Sequence, residues 1–331
     1  SNIPNVLLLM ALIFAAFSAL SREFDKRYTT IWIVTFSMYI GFSYATNAWD
    51  FSFYLVLYGL TMWTFFALQT GQMKLRSYFH LSVLVRTGQG SLITLAISIL
   101  CMLPFWLQLH PPAKGVARVM PGQGSAFYQL IVLWLLHLFF VLWYSNVFDR
   151  DASFSNSEID SIKDPKKRAA KHFNLLNHRY IQILFIWGIA LLIMPELFYV
   201  KDIYPNDPRS NTMFKLVYQA WIIFGIGIGP AFVYVWHQLP EISTWLSRVF
   251  KVASFCLVFS GLLYTFRAIE QGCGVRGDRK GLDGFIFLAQ QKPNDAKAIQ
   301  WLNANIPGQP TVVEAVGDSY TLFARVASFT G

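Results

Sequence analysis

Charged residues and cysteine are scarce in this sequence. Asp, Glu, Lys and Arg make up only 14% of its 331 residues, while 55% are hydrophobic and 17% are aromatic. Disordered chains are polar and highly charged, so this composition excludes disorder. The three cysteines form no CxxC or Cys/His cluster, which excludes a disulfide scaffold and indicates no metal site. No nucleic-acid-binding motif accompanies the net charge of +9, so we expect no nucleic-acid partner.

Long uncharged stretches dominate the chain instead. A membrane-spanning helix needs about 20 apolar residues. Eight such segments occur within residues 1–269, and they are Ile3–Leu20, Ile31–Ala48, Phe51–Leu68, Ser91–Leu109, Phe127–Phe148, Ile181–Val200, Phe214–Trp236 and Val249–Phe266. We therefore predict an all-α polytopic membrane protein with about eight transmembrane helices and with membrane lipid as a partner.

Basic residues are divided unequally between the two sides of this membrane domain. The side that follows the first segment, called side A, holds 14 Lys and Arg residues in its loops 21–30, 69–90, 149–180 and 237–248. The opposite side, side B, holds four in the turn 47–50 and the loops 110–126 and 201–213. The positive-inside rule places side A in the cytoplasm. We thus expect a multi-pass protein of the cell membrane, with its C-terminal tail outside.

The tail, residues 270–331, has the composition of a soluble domain. Residues 296–305 carry an amphipathic helical pattern, with Asn294 or Asp295 as the preceding cap and Ile299 and Trp301 facing inward. Residues 311–316 have strand composition and end at a Gly-Asp-Ser-Tyr turn. We predict the start of an extracytoplasmic α/β domain that is cut off early. Because the chain begins without Met and ends without a closing element, we expect a piece of a longer protein.

The first of three polar clusters lies between the second and third segments. Asp50 follows Asn47, Ala48 and Trp49 with almost no loop to carry it. A carboxylate at membrane depth is costly and marks a functional candidate that can orient a hydroxyl, bind a metal or act as a base. The alternative is that Asp50 caps the third helix while Trp49 sits in the interfacial aromatic belt.

The second cluster opens the seventh segment. Arg209 and Lys215 are two cations at the side B end of a membrane helix, where the helix macrodipole adds positive potential. Asn211, Lys215 and Gln219 follow at intervals of four residues and share one helix face. This pattern suits a phosphate or pyrophosphate group. Snorkelling of both cations to lipid headgroups is the alternative.

The third cluster lies in the tail and consists of Glu314, Asp318, Ser319, Tyr320 and Arg325. A strand that ends in Gly-Asp-Ser presents Asp318 and Ser319 where open α/β sheets usually build their sites. An ordinary turn is the alternative. No G-x-S-x-G motif surrounds Ser319, so a hydrolase is not favoured.

Taken together, the three clusters resemble motifs of the uncharacterised prokaryotic "YYY" membrane-protein family, a domain of unknown function grouped with the GT-C glycosyltransferases. The family's Asn-Thr-Trp-Asp-Phe-Pro stretch corresponds to residues 47–52, where Ala48 and Ser52 differ. Its Arg-Met-Asn-Thr-Val-Phe-Lys run corresponds to residues 209–215, before a Tyr-Gln-Ala-Trp sequence. Its Glu-Ala-Pro/Val-Gly-Asp-Ser-Tyr-Thr stretch corresponds to residues 314–321.

The resemblance implies an integral membrane glycosyltransferase that takes a sugar from a polyprenyl-phosphate-linked donor at the outer membrane face. It implies that Arg209 and Lys215 stabilise the departing phosphate by electrostatic preorganisation. The remaining substrate-binding residues would position the sugar or acceptor, or close the site from the soluble domain, and they are Asn47, Trp49, Asp50, Asn211, Gln219, Asp318, Ser319, Tyr320 and Arg325.

The resemblance also implies that a general base is missing. The family's N-terminal part, with an acidic loop that usually supplies the catalytic carboxylate in GT-C enzymes, has no counterpart here. Asp50 is therefore not assigned that role. The sequence names no sugar, acceptor, cofactor or metal.

Two other classes of protein remain open. A transporter would carry ionisable groups deep in several helices, whereas the charges here lie at helix ends on side B. A non-catalytic lipid-binding membrane protein would keep the basic residues only to contact lipid headgroups.

Overall fold

The computed structural model describes residues 26–69, 78–108, 115–162, 164–201, 207–273, 283–308, 310–317 and 323–330, and most of them are helical. In chain order the elements are α1 (Lys26–Thr46), α2 (Ala48–Gln69), α3 (Leu81–Cys101), α4 (Leu103–Gln108), β1 (Val116–Arg118), α5 (Phe127–Ser161), α6 (Pro165–Leu197), β2 (Phe198–Val200), α7 (Ser210–Ile242), α8 (Thr244–Cys273), α9 (Gly284–Gln291), α10 (Pro293–Asn305) and α11 (Arg325–Thr330). The first predicted segment lies outside the described residues.

Five helices in the described part of the chain are long and apolar enough to cross a membrane. They provide the spans Leu81–Cys101, Phe127–Phe148, Asn177–Leu197, Ser210–Ile242 and Thr244–Gln271. This confirms an all-α, multi-pass membrane protein. Helices α1 and α2 coincide with the second and third predicted segments, but their crossing of the membrane, and so the number eight, stays a prediction.

Two predicted segments have different bounds in the structure. The fourth, expected over Ser91–Leu109, begins ten residues earlier and is interrupted at Met102, after which α4 starts. Pro104 explains the break, because proline lacks the N–H of a continuing helix but fits the first turn of a new one. The sixth was expected to reach Val200, yet α6 ends at Leu197 because the next three residues form β2.

The predicted side A loop 149–180 is almost entirely helical. Helix α5 continues to Ser161 and α6 begins at Pro165, so only residues 162–164 separate them. Proline is favourable at a first helical position, and the alanines that follow have high helix propensity. Both helices therefore continue well past their apolar spans, Phe127–Phe148 and Asn177–Leu197.

The core of the membrane domain is aromatic and centres on α7. Phe224 is fully buried, and its ring lies 5.8 Å from Trp134 of α5 and 6.2 Å from Phe185 of α6, measured between ring centroids. Glycines allow this close packing: a Cβ atom at Gly227 would lie 2.7 Å from Cε1 of Phe185. Three helices are thus held together by rings that interlock with glycine positions.

Helices α1 and α3 also approach each other closely. A Cβ atom at Gly41 would lie 2.7 Å from the carbonyl oxygen of Ser98. The Ser98 hydroxyl donates a hydrogen bond of 2.7 Å to the carbonyl of Ser37. Small residues and a hydroxyl at a helix contact are the usual means by which membrane helices associate.

A short antiparallel ribbon joins two side B loops, a feature that the sequence did not reveal. Strand β1 pairs with β2, with Ala117 opposite Tyr199. The backbone N–H of Val200 donates to the hydroxyl of Thr212 at 2.9 Å, which fastens the ribbon to the first turn of α7. The ribbon thereby fixes the loop before α5 next to the start of α7.

The chain divides into two units, Ser1–Phe255 and Cys256–Gly331. The predicted domain boundary between residues 269 and 270 stays a prediction. In the second unit, α9, α10 and α11 pack around a small apolar core of Leu288, Ala296 and Ile299.

Three details of the tail differ from expectation. Helix α10 begins at Pro293, so neither Asn294 nor Asp295 caps it, and Trp301 is 58% exposed although Ile299 is buried as predicted. Residues 310–317 form no strand. Val313 and Val316 are 94% and 96% exposed, because this stretch has no partner strand among the described residues. An α/β domain stays a prediction.

The packing around α7 predicts different effects for two glycines of the same helix. Gly227→Ala forces Phe185 to move, and overpacking of this kind costs about 1–3 kcal/mol. Gly225→Ala meets no atom within 4 Å, so helix propensity stabilises it by up to about 1 kcal/mol. Thermal unfolding in detergent should show a lower Tm only for the first variant. Equal Tm values would contradict the described contact of α6 with α7.

Candidate functional site

The buried carboxylate of Asp50 is the centre of the candidate site. Asp50 is 2% exposed and lies in the first turn of α2. Its Oδ1 atom accepts a hydrogen bond of 2.8 Å from Nδ2 of Asn47 and one of 2.9 Å from Nε2 of Gln219. A buried charge requires such donors in place of water. Asp50 thus lies inside the helix and bonds across to α7, which differs from a simple helix cap.

Tyr54, Lys215 and Tyr39 also lie near this carboxylate. Gln219 is 3% exposed, and its Oε1 atom accepts a hydrogen bond of 3.4 Å from the hydroxyl of Tyr54. The Lys215 ammonium attracts the Asp50 carboxylate electrostatically. The negative charge of the carboxylate also interacts electrostatically with the hydroxyl of Tyr39. The first and second predicted clusters therefore meet, through Asp50, Gln219 and Lys215.

A very short connection places Asn47 at this point. Asn47 is the only residue between α1 and α2. Its backbone N–H donates to the carbonyl of Ser43 at 2.8 Å, and its own carbonyl accepts from the N–H of Asp50 at 2.9 Å. One residue thus ends one helix and starts the next, which leaves its side-chain amide beside the carboxylate.

The polar residues of α7 lie at different heights along its axis. Lys215 and Gln219 are one turn apart on one face, with Lys215 about 6 Å nearer to the side B end. Arg209, at the N-cap of α7, is six residues before Lys215, which turns it about 120° away around the axis. The two cations that the sequence grouped together therefore belong to different surroundings.

Arg209 forms a second polar group with Glu196 and Ser125. Its Nη1 and Nη2 atoms lie 3.0 and 3.3 Å from the two carboxylate oxygens of Glu196, a bidentate pair with both side chains 15% exposed. The backbone N–H and the hydroxyl of Ser125 each donate to Glu196 at 2.8 Å. Bidentate, charge-assisted bonds of this kind are strong and directional. They tie the loop before α5 to the ends of α6 and α7.

The other predicted site residues lie as follows. Trp49 is half-buried against the core, with its ring 6.4 Å from that of Phe53. Asn211 is half-buried in the first turn of α7. Arg325 forms an ion pair with Asp295 in the second unit, and its backbone N–H donates to Glu314 at 3.1 Å.

Asp318, Ser319 and Tyr320 lie outside the described residues, so their role stays a prediction. No group of three or more His, Cys, Asp or Glu side chains that would hold a metal occurs in the described ranges.

The amino-acid sequence did not reveal Glu196 and Ser125 as members of a polar group. Glu196 interrupts the end of an apolar segment next to Pro195, and such an isolated acid is the signal that marks it. Ser125 carries no signal of its own, because its partners come from distant parts of the chain.

The buried polar group and the long apolar helices define a multi-pass integral membrane protein. The model of the uncharacterized membrane protein family DUF2298 matches residues 1–176 and 162–224, and the chain belongs to this family. No curated protein and no solved structure matches the chain.

The link between Asp50 and Gln219 predicts the effect of Gln219→Leu. The substitution keeps the size of the side chain but removes a donor from a buried carboxylate, which costs about 1–3 kcal/mol. Gln238→Leu, on the same helix and half-buried near side A, serves as the control. We expect a lower Tm in detergent for Gln219→Leu than for Gln238→Leu. An unchanged Tm for both would show that the carboxylate does not depend on Gln219.

Proposed function

We propose that this chain is part of a GT-C-like integral membrane glycosyltransferase of the "YYY" type. It transfers a sugar from a polyprenyl-phosphate-linked donor at the outer membrane face. The observation that supports the proposal is the polar group of Asp50, Gln219, Asn47 and Lys215 at the side B ends of apolar helices. Polar groups at such positions are functional candidates by default.

In this proposal Lys215 stabilises the departing phosphate. The acceptor oxygen attacks the anomeric carbon, and the bond from that carbon to the phosphate oxygen breaks with its electron pair left on the phosphate. A fixed ammonium near that oxygen stabilises the developing charge without reorganisation. The charge of Arg209 is already matched by Glu196, so we assign Arg209 to holding the side B loop.

The acceptor proton requires a base, and Asp50 is not assigned this task. Its carboxylate is buried and accepts hydrogen bonds from Asn47 and Gln219, which suits a group that orients Lys215 and a sugar hydroxyl. We propose that the base comes from a part of a longer protein that precedes this chain. We assign Trp49, which is half-buried and follows Asn47 by two residues, to stacking on the sugar.

The tail completes the proposal as the start of an extracytoplasmic α/β domain from residue 270. We assign Asp318, Ser319, Tyr320, Arg325 and Asn211 to substrate binding, as the resemblance to the family's motifs implies. The support is positional, because the tail and the polar group fall on side B in the charge count of the loops.

Transfer of labelled sugar tests the catalytic role of Lys215. With the intact protein and a polyprenyl-phosphate-linked donor, Lys215→Ala should lower transfer by about a hundredfold or more, the cost of losing a preorganised electrostatic group. Lys201→Ala removes an exposed lysine near the same membrane side and should leave transfer unchanged.

Full transfer by Lys215→Ala, with the protein still inserted, would contradict the role of Lys215 at the departing phosphate. Absence of transfer by the unaltered intact protein would contradict the enzyme proposal and favour the alternative of a non-catalytic lipid-binding membrane protein. Uptake of a solute without any sugar transfer would favour a membrane transporter.

Cysteine labelling tests the orientation. In a variant without Cys101, Cys256 and Cys273, a cysteine introduced at Lys292 should react with an impermeant maleimide on intact cells, because the tail is expected outside. A cysteine at the exposed Lys167 on side A should react only after permeabilisation. The reverse pattern would place the tail in the cytoplasm and the polar group at the inner face.

A further inference from the structure

Three aromatic rings form a ladder on α7 beside the candidate site. The ring centroids of Phe214 and Tyr218 lie 6.1 Å apart with an interplanar angle of 18°, and those of Tyr218 and Trp221 lie 6.2 Å apart with an angle of 25°. The spacing of four and three residues keeps all three on one helix face. The ladder runs for about 10 Å along the helix axis, starting one turn from the side B end.

The ladder is open at both ends. Phe214 is 64% exposed and Trp221 is 53% exposed, whereas Tyr218 between them is half-buried. Single exposed apolar residues are ordinary on a membrane protein, but stacked rings form a continuous apolar track. Such a track is a surface on which an extended apolar chain can lie.

The ammonium group of Lys215 lies beside Phe214, the first ring of this track. The Nζ atom of Lys215 lies 5.9 Å from the ring centroid of Phe214. Lys215 follows Phe214 by one residue, which places it about 100° around the helix, between the ladder and the face that carries Gln219. The same ammonium attracts the carboxylate of Asp50. The order around α7 is therefore apolar track, cation and then buried polar group.

We propose that the ladder of Phe214, Tyr218 and Trp221 binds the isoprenoid chain of a polyprenyl phosphate, while Lys215 binds its phosphate. The inference rests on the proposed function and adds the place where the donor lipid lies. A polyprenyl chain carries a planar, polarisable double bond and a methyl branch in each isoprene unit, which stack on ring faces. The positive charge of Lys215 complements a phosphate at the head of the chain.

The arrangement also orients the ligand. With its chain along the ladder and its phosphate at Lys215, any group carried on the phosphate is directed to the side of α7 where Gln219 and Asp50 lie. The isoprenoid chain, the phosphate and the head group thus each contact a different face of α7, and these three faces are adjacent. A phosphate without a chain, or a chain without a phosphate, occupies only part of this surface.

Binding of a C55 polyprenyl monophosphate to the purified protein in detergent, measured by native mass spectrometry, tests the inference. We expect Trp221→Ala and Phe214→Ala to weaken binding by about tenfold each, from the loss of apolar contact area. Lys215→Ala should weaken it by about tenfold or more, while Lys215→Arg should retain it. Phe127→Ala removes a 77% exposed ring at the start of α5 and should change nothing.

Three competitors separate the sources of affinity. The corresponding polyprenol and inorganic phosphate should each displace the polyprenyl phosphate poorly, since each lacks one half of the ligand. Displacement by phosphatidylglycerol at equal concentration would overturn the inference, because the surface would then accept any anionic lipid. Equal losses in Phe127→Ala and Trp221→Ala would overturn it as well. The Phe214, Trp221 and Phe127 variants should keep the elution volume and Tm of the starting protein, as their side chains are exposed. Lys215→Arg should keep them as well, because it retains the positive charge that attracts Asp50.

The inference and the proposed function fail in different ways. If the polyprenyl phosphate binds as described but no sugar is transferred, the ladder stands as a lipid site and the enzyme proposal fails. If Lys215→Ala abolishes sugar transfer but the ladder variants bind the polyprenyl phosphate normally, the catalytic role of Lys215 is supported. The inference that the ladder binds the isoprenoid chain is then wrong.

Discussion

A carboxylate buried at the end of an apolar helix is tolerable only if donors replace the water that it has lost. For Asp50 these donors come from two places, the adjacent Asn47 and the distant Gln219, 169 residues along the chain. Helices α2 and α7 must therefore be aligned along their axes so that the side-chain amide of Gln219 lies next to the first turn of α2. The height of Lys215 above the carboxylate, and the position of the ladder beside it, both follow from that alignment.

A second constraint fixes the surroundings of this group. Glu196 matches the charge of Arg209 and accepts both donors of Ser125, so that three segments of the chain meet at one ion pair. The β ribbon and Thr212 add a backbone connection to the same end of α7. The side B end of the membrane domain is thus organised around α7, which carries one cation that is matched locally and one that lies nearer to the buried acid.

Much of the membrane domain was predictable, because an apolar run of sufficient length has few alternatives to a helix. Asp50, Lys215 and Gln219 stood out for the related reason that polar residues rarely interrupt such runs. The interaction partners of such residues are not visible in the local sequence. The pair of Glu196 with Arg209, and the contribution of Ser125, depend on how α5, α6 and α7 pack, and no local pattern encodes that. The strand composition of residues 311–316 likewise needs a neighbouring strand, and none is formed in the described part of the tail.

The hairpin of α1 and α2 has a mechanical consequence. A single residue, Asn47, joins the two helices, and a peptide unit is rigid, so an axial shift of α1 displaces the amide that bonds to Asp50. Helix α1 in turn packs closely against α3 at Gly41 and is hydrogen-bonded to it through Ser98. A shift of the α1–α3 pair along its axis would therefore reach the carboxylate through Asn47 and change its hydrogen bonding.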